Sequence, residues 1–410
     1  MAPDSERFFN TLDGFTNRDY EIDDPNYRNL YEVAWKSKDR NAIFEDVVGS
    51  EPYKSLKLVL PHTVGHQDHL LVTSEYKAAL SDAKRWFDGR EDLKTKFTQE
   101  ESCWKPLSED EGEGEDQQIN TDADPDWPTS SSAQGVLIVC GMPGIGKSCF
   151  LYYVLVERLL ANLPTCFQTE RDRFTYWCDK GVFNCDMEPL RIGFRIPSSV
   201  WFLIDSNMDI VSPSSDILRT CARVIQAASP LNARLRWKRK QNLFTYHWFM
   251  KPSPLRELLI MRQFWPVPLT DEQVTEFVTS YGPSIRLITQ YAHRLYQYRV
   301  DLQSRTSQLT FDKLRKLLYD LNVLNAGNES VSHWIFGIYP GRKRYHHTIG
   351  FHTSEVYDLV KAVFSESWKT HVCLSVYELF NNGVRWTRGS ASYLSQDLPI
   401  GGTVLEGNHS

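Results

Sequence analysis

The sequence predicts an α/β protein whose core is a parallel sheet flanked by helices. Three observations carry that reading. The apolar run Val136 to Cys140 leads into a glycine-rich turn and then an amphipathic stretch reaching about Leu163. Strand-like runs at Thr165 to Gln168, Val200 to Ile204 and Arg223 to Ala227 follow, alternating with helical pattern. That alternation is what a parallel sheet with crossover helices requires. After Pro266 the pattern turns helical.

Residues 1–105 read as an N-terminal accessory region of short apolar patches and many aromatics, with a helix expected over Ser74 to Phe87, where apolar residues recur at near-helical spacing. Residues 106–132 differ sharply. Nine acidic residues and no Lys or Arg fall between Glu109 and Asp126. Such a stretch buries too little apolar surface to offset its ordering entropy, so a linker or long surface insertion is expected. That segment carries −9 of charge while the whole chain is −6, so the remainder sums to +3, and whole-chain charge says little about partners.

The core is expected over residues 133–268, decorated by a hairpin of Phe174 to Cys178 and Val182 to Cys185 around Asp-Lys-Gly. Residues 269–325 read as a small helical lid. Thr270-Asp-Glu-Gln starts one helix, and Ser284 to Tyr298 supplies another. Residues 326–410 form a mixed C-terminal region with a helix over Glu355 to Phe364 and a loosely ordered tail.

With 41% hydrophobic and 24% charged residues among 410, the composition is that of a globular chain and excludes a disordered or fibrous one. Met1 to Arg7 lack the basic and apolar regions of a secretory signal, and the apolar runs are too short to span a bilayer. An intracellular protein, cytoplasmic or nuclear and without membrane contact, is expected. Eight cysteines with no C-x-x-C pair point to buried reduced thiols.

Function is most legible between the first strand and its helix. Gly141-Met142-Pro143-Gly144-Ile145-Gly146-Lys147-Ser148 fits the phosphate-binding pattern G-x-x-x-x-G-K-[ST] in its required setting. The glycines let successive backbone N–H groups turn inward as an anion nest, to which the helix N-terminus adds unpaired donors. Residues Gly141 through Cys149 are therefore the expected cradle for ATP or GTP. Lys147 is expected to reach the β and γ phosphates, and Ser148 to ligate Mg²⁺.

A second magnesium contact needs an acid at the end of a hydrophobic strand, and Asp205 in Val200-Trp-Phe-Leu-Ile-Asp205 supplies it. The next residue is Ser206 and not a glutamate that would polarise the attacking water, so hydrolysis is slow or uses another base. Ser229, at the C-terminal end of its strand, is placed to sense the γ-phosphate, its alternative being a turn-forming Ser-Pro. Arg286, at a helix start in the lid, is placed to swing onto the phosphate on closure; the alternative is a solvated surface arginine.

The order Gly-Met-Pro-Gly-Ile-Gly-Lys-Ser, Phe-Leu-Ile-Asp-Ser-Asn, Ala-Ala-Ser-Pro followed by Arg234, Trp237 and Lys238, then Tyr-Gly-Pro-Ser-Ile-Arg resembles the P-loop ATPase module of fungal crinkler-like and retrotransposon hot spot-like proteins. The resemblance covers roughly residues 70 to 325. It implies an AAA-like or STAND-like P-loop NTPase core, in which the sensor strand separates the Walker B strand from the P-loop strand. Three departures stand out: the absent glutamate after Asp205, the absence of a Leu-x-Leu-Phe-Leu-Ala-Lys translocation motif, and a tail after about Asn382 that continues no family domain.

Other signals are weaker. His62, His66 and His69 have spacings a metal could use, but lack a fourth ligand. The basic stretches Arg234 to Lys240 and Arg342 to His347 contain aromatics and suit a nucleic-acid backbone or a solvated face, with a phosphate at a neighbouring subunit as the further alternative for Arg234 and Arg236. The expected function is Mg²⁺-dependent binding and hydrolysis of a nucleoside triphosphate coupled to conformational change. Its alternatives are a nucleotide-binding switch with little hydrolysis, engaging a protein partner or a second copy, and an ATPase engaging nucleic acid.

Overall fold

A computed structural model describes residues 21–48, 52–57, 69–89, 135–191, 196–207, 209–220, 222–229, 245–310, 313–314, 332–341 and 343–364. After three short helical segments, Pro25–Leu30, Tyr31–Lys36 and Arg40–Ile43, comes a small antiparallel sheet formed by β1 (Phe44–Asp46), β2 (Lys54–Lys57) and β3 (His69–Val72) in that order. The helix Ser74–Phe87 follows directly, with the Thr73 hydroxyl accepting from Tyr76 N at its start.

The central sheet has seven strands. They are β4 (Val136–Cys140), β5 (Thr165–Gln168), β6 (Arg173–Cys178), β7 (Gly181–Asp186), β8 (Trp201–Asp205), β9 (Arg223–Ala228) and β10 (Thr245–Phe249), in the spatial order β10-β4-β9-β8-β5-β6-β7. The first five in that order run parallel, and β6 and β7 form the expected antiparallel hairpin at one edge. β9 thus separates β4 from β8.

Both faces of the sheet are covered, which is why its central strands are continuous apolar runs and do not alternate. Leu137, Val139, Leu203 and Ile225 face a cluster with the helices Ser74–Phe87 and Lys147–Leu160. Ile138, Cys140, Phe202, Ile204 and Val224 face the opposite cluster, which includes residues of the C-terminal helices. The helix Ser74–Phe87 therefore packs in the same core as the glycine loop's own helix. Five described cysteines, Cys140, Cys149, Cys166, Cys178 and Cys185, are buried and form no disulfide among the described residues.

Several expectations shift. The helix after the glycine loop ends at Leu160, where Ala161 and the left-handed Asn162 (φ 53°) turn the chain. The single helix expected from Ser284 to Tyr298 is two, Ile285–Tyr291 and Leu295–Ser307, joined by a 3₁₀ turn. At the break, Arg294 Nε donates to Gln290 O at 2.9 Å, the carbonyl that a continuing helix would give to Arg294 N. Elsewhere Asp271–Tyr281 begins with a full capping box between Thr270 and Gln273. The last described helix is Ser354–Val363, preceded by the hairpin β11 (Phe336–Pro340) and β12 (His347–Phe351).

Candidate phosphate-binding site

β4 ends at Cys140, and the next six residues turn the chain into the helix Lys147–Leu160. Gly144 and Gly146 stand at φ 78° and 98°, a region side-chain-bearing residues adopt only under strain. Gly146 occupies the N-cap, no side chain caps this helix end, and its first turn holds no acidic residue. The helix therefore presents uncapped N–H groups and the positive end of its dipole to whatever anion enters the loop.

Three elements hold the loop from outside. Met250, just past β10, abuts Gly141, with Met250 O 3.3 Å from where a β-carbon would stand, and Met250 N donates to Cys140 O at 2.7 Å. A β-carbon at Gly144 would meet Arg286 Cβ at 2.7 Å and Ser284 Oγ at 3.0 Å. Ser284 Oγ donates to Pro143 O at 3.3 Å. Gly146 lies against the Tyr76 hydroxyl. Within the loop, Ile145 folds its buried side chain over Gly141, and Met142 is buried too.

Lys147 is 9% exposed, and its Nζ donates to Gly141 O at 2.9 Å and Met142 O at 2.8 Å. The ammonium is thus held across the mouth of the loop. Ser148 is half-buried beside it. Cys149 reports on the surroundings. Its thiol is pushed up to about 12, chiefly by burial; the Tyr76 hydrogen bond opposes that rise and the Asp205 charge adds to it. The Asp205 carboxylate consequently lies within electrostatic reach of the helix start.

Strand register aligns the remaining expected residues. Cys140 pairs with Ala228 and Asp205 with Ala227, so Gly141, Ser229 and Ser206 follow one another along the same C-terminal edge. This is the edge at which open α/β sheets bind ligands. Arg286 is exposed at the Gly144 side. Lys147, Ser148, Asp205 and Ser229 are therefore brought to one edge, with Arg286 adjoining. Ser148 and Asp205 offer a magnesium ion one hydroxyl and one carboxylate, and a hard ion bound chiefly by phosphate and water oxygens suits so sparse a donor set. Among the described residues there is no group of three or more His, Cys, Asp or Glu able to hold a metal unaided.

Other functional neighbours were not foreseen. Tyr76 read as one more apolar position of an amphipathic helix, yet its hydroxyl touches the loop. Ser206 is 9% exposed, and its Oγ accepts from Gln226 Nε2 at 2.8 Å. The signal for that pair was a glutamine inside the otherwise apolar run Val224-Ile-Gln-Ala-Ala228.

The basic stretches divide. Arg234 to Lys240 lie outside the described residues, as do His62 and His66, while His69 sits in β3, stacked on Phe264. Arg344 is not on a solvated basic face: 5% exposed, it donates to Glu75 Oε1 at 2.8 Å and Oε2 at 2.9 Å, and to Phe249 O at 3.1 Å. Among the described residues no helix is long and apolar enough to cross a membrane. No protein-family model and no curated protein matches the chain.

Proposed function

We propose that this chain binds the triphosphate of a nucleotide, ATP or GTP, together with Mg²⁺, and couples its binding and hydrolysis to movement of the helical region carrying Arg286. The observation that carries this reading is the uncapped, glycine-bent helix start at the end of a central strand, with Lys147 folded across it and Asp205 nearby. Backbone amides of the loop receive the phosphates. Lys147 exchanges two carbonyl partners for phosphate oxygens, a trade of neutral acceptors for charged ones that favours the bound state. Ser148 and Asp205 would hold the magnesium ion, which neutralises phosphate charge when bound.

Ser284 and Arg286 touch the loop at Gly144, so a loop that rearranges around phosphate pushes directly on the helix Ile285–Tyr291. That contact supports a conformational output. The specific observation favouring a switch with little hydrolysis is Ser206 in the place after Asp205. The burial of Arg344 weighs against a nucleic-acid-binding role for its stretch.

Equilibrium titrations of ATP and GTP with and without Mg²⁺ test the proposal. Wild-type protein should bind at least tenfold more tightly with Mg²⁺ present, and Ser148→Ala or Asp205→Asn should erase that difference. Equal affinity with and without the ion in all three proteins refutes the assigned metal contacts.

A further inference from the structure

Ser206 and Gln226 form a buried polar pair inside an apolar sheet. Gln226 is fully buried in the middle of β9, in register with Ile204 of β8 on one side and Ile138 of β4 on the other. A side-chain amide there is costly unless satisfied. Its Nε2 donates to Ser206 Oγ at 2.8 Å, while its Oε1 has no partner among the described residues. Ser206 N donates to Ala227 O at 3.0 Å, which fixes the serine backbone against β9. The hydroxyl directly after Asp205 is therefore tied from below by a glutamine that serves no apolar packing.

We propose that this pair is a brake on turnover, holding the position next to Asp205 as a hydrogen-bond donor that cannot take a proton from water. The inference rests on the nucleotide-site reading above. In hydrolysis, a water oxygen bonds to the γ-phosphorus as the bond to the β–γ bridging oxygen breaks, and the diphosphate leaves with the electron pair. The water must also lose a proton. A carboxylate beside it would accept that proton, but the Ser206 oxygen already accepts from Gln226, and a hydroxyl is a poor base at neutral pH. The proton passes instead to an oxygen of the departing phosphate. Bound triphosphate consequently persists, as a switch requires.

The test is single-turnover phosphate release from MgATP on the full chain, beside equilibrium MgATP binding. Wild-type release should be slower than about 0.01 s⁻¹, well below the typical enzymatic range, and flat between pH 6 and pH 9. Ser206→Glu should raise it at least tenfold with affinity changed less than threefold, and should introduce a fall in rate at acid pH as the new carboxylate protonates. Ser206→Ala removes the hydroxyl but supplies no base, and should leave release unchanged or raise it by less than threefold.

A wild-type rate above about 1 s⁻¹ overturns the brake. So does a Ser206→Glu protein that binds MgATP normally yet releases phosphate no faster, or a loss of thirtyfold or more in Ser206→Ala. Absence of any MgATP binding by wild-type protein refutes the nucleotide site itself, whereas binding with rapid turnover refutes only the brake.

Discussion

The Tyr76 hydroxyl rests against Gly146 at the point where any other residue would carry its β-carbon. Tyr76 is 2% exposed and stacks on Tyr153, with ring centroids 6.3 Å apart, so it cannot withdraw. The last glycine of the loop is thus doubly required, by its φ of 98° and by the occupied space beside it.

Gly146→Ala should therefore both strain the backbone and displace Tyr76. A cost of about 2 to 4 kcal/mol is expected, from left-handed strain and overpacking together, along with loss of MgATP binding. Chemical denaturation and titration of the same preparation check both. Combined with Tyr76→Ala, itself destabilising, the cost should be less than the sum of the two single changes, because the second removes the collision but not the strain.

The residue preceding Tyr76 ties the loop's surroundings to the C-terminal segment. Glu75 accepts from both Arg344 terminal nitrogens and, at 2.6 Å, from Lys251 N. Side chains so buried form a pair that is costly to half-remove. Arg344→Met alone should destabilise by about 3 to 5 kcal/mol, and Arg344→Met with Glu75→Gln by less, since the stranded charge is gone. Urea midpoints of the single and double variants measure the coupling.

His352 should make stability fall as pH drops. Its ring is buried against Gly282, with Nε2 2.9 Å from His333 O and Nδ1 without a partner among the described residues. Burial pushes its pKa down to about 4, against a smaller opposing effect of that backbone contact. The folded protein therefore keeps the ring neutral, while the unfolded chain takes up a proton below its ordinary value of about 6.5. Stability contributed by His352 is intact above that value and declines toward pH 4, by up to about 3 kcal/mol. Subtracting His352→Gln from wild type isolates it. The stability difference between the two should shrink by roughly 2 to 3 kcal/mol from pH 7 to pH 4.5, and a constant difference would contradict the assignment.

The loop and its flanking elements were legible because each local signal agreed with the fold. Val136 to Cys140, Thr165 to Gln168 and Ser74 to Phe87 occupy the bounds their patterns predict, since continuous apolar runs and 3.6-residue spacing state burial directly. β10 was not legible. Thr245-Tyr-His-Trp-Phe has no apolar continuity, and it becomes a strand by pairing with β4 along its full length. Arg344 looked like a surface cation because nothing in its neighbourhood names Glu75, which lies 269 positions away. Tyr76 and Gln226 were hidden for the same reason: their hydrogen-bonding atoms acquire meaning only once the loop and β8 stand beside them.

A calorimetric titration of MgATP into wild-type and Lys147→Ala protein bears most directly on the whole reading. Nζ of Lys147 is already poised over the loop through Gly141 O and Met142 O, so its removal should weaken binding by a hundredfold or more. Saturable wild-type binding that disappears in the variant is the expected result. Indistinguishable isotherms for the two proteins, or no heat from either, would contradict it.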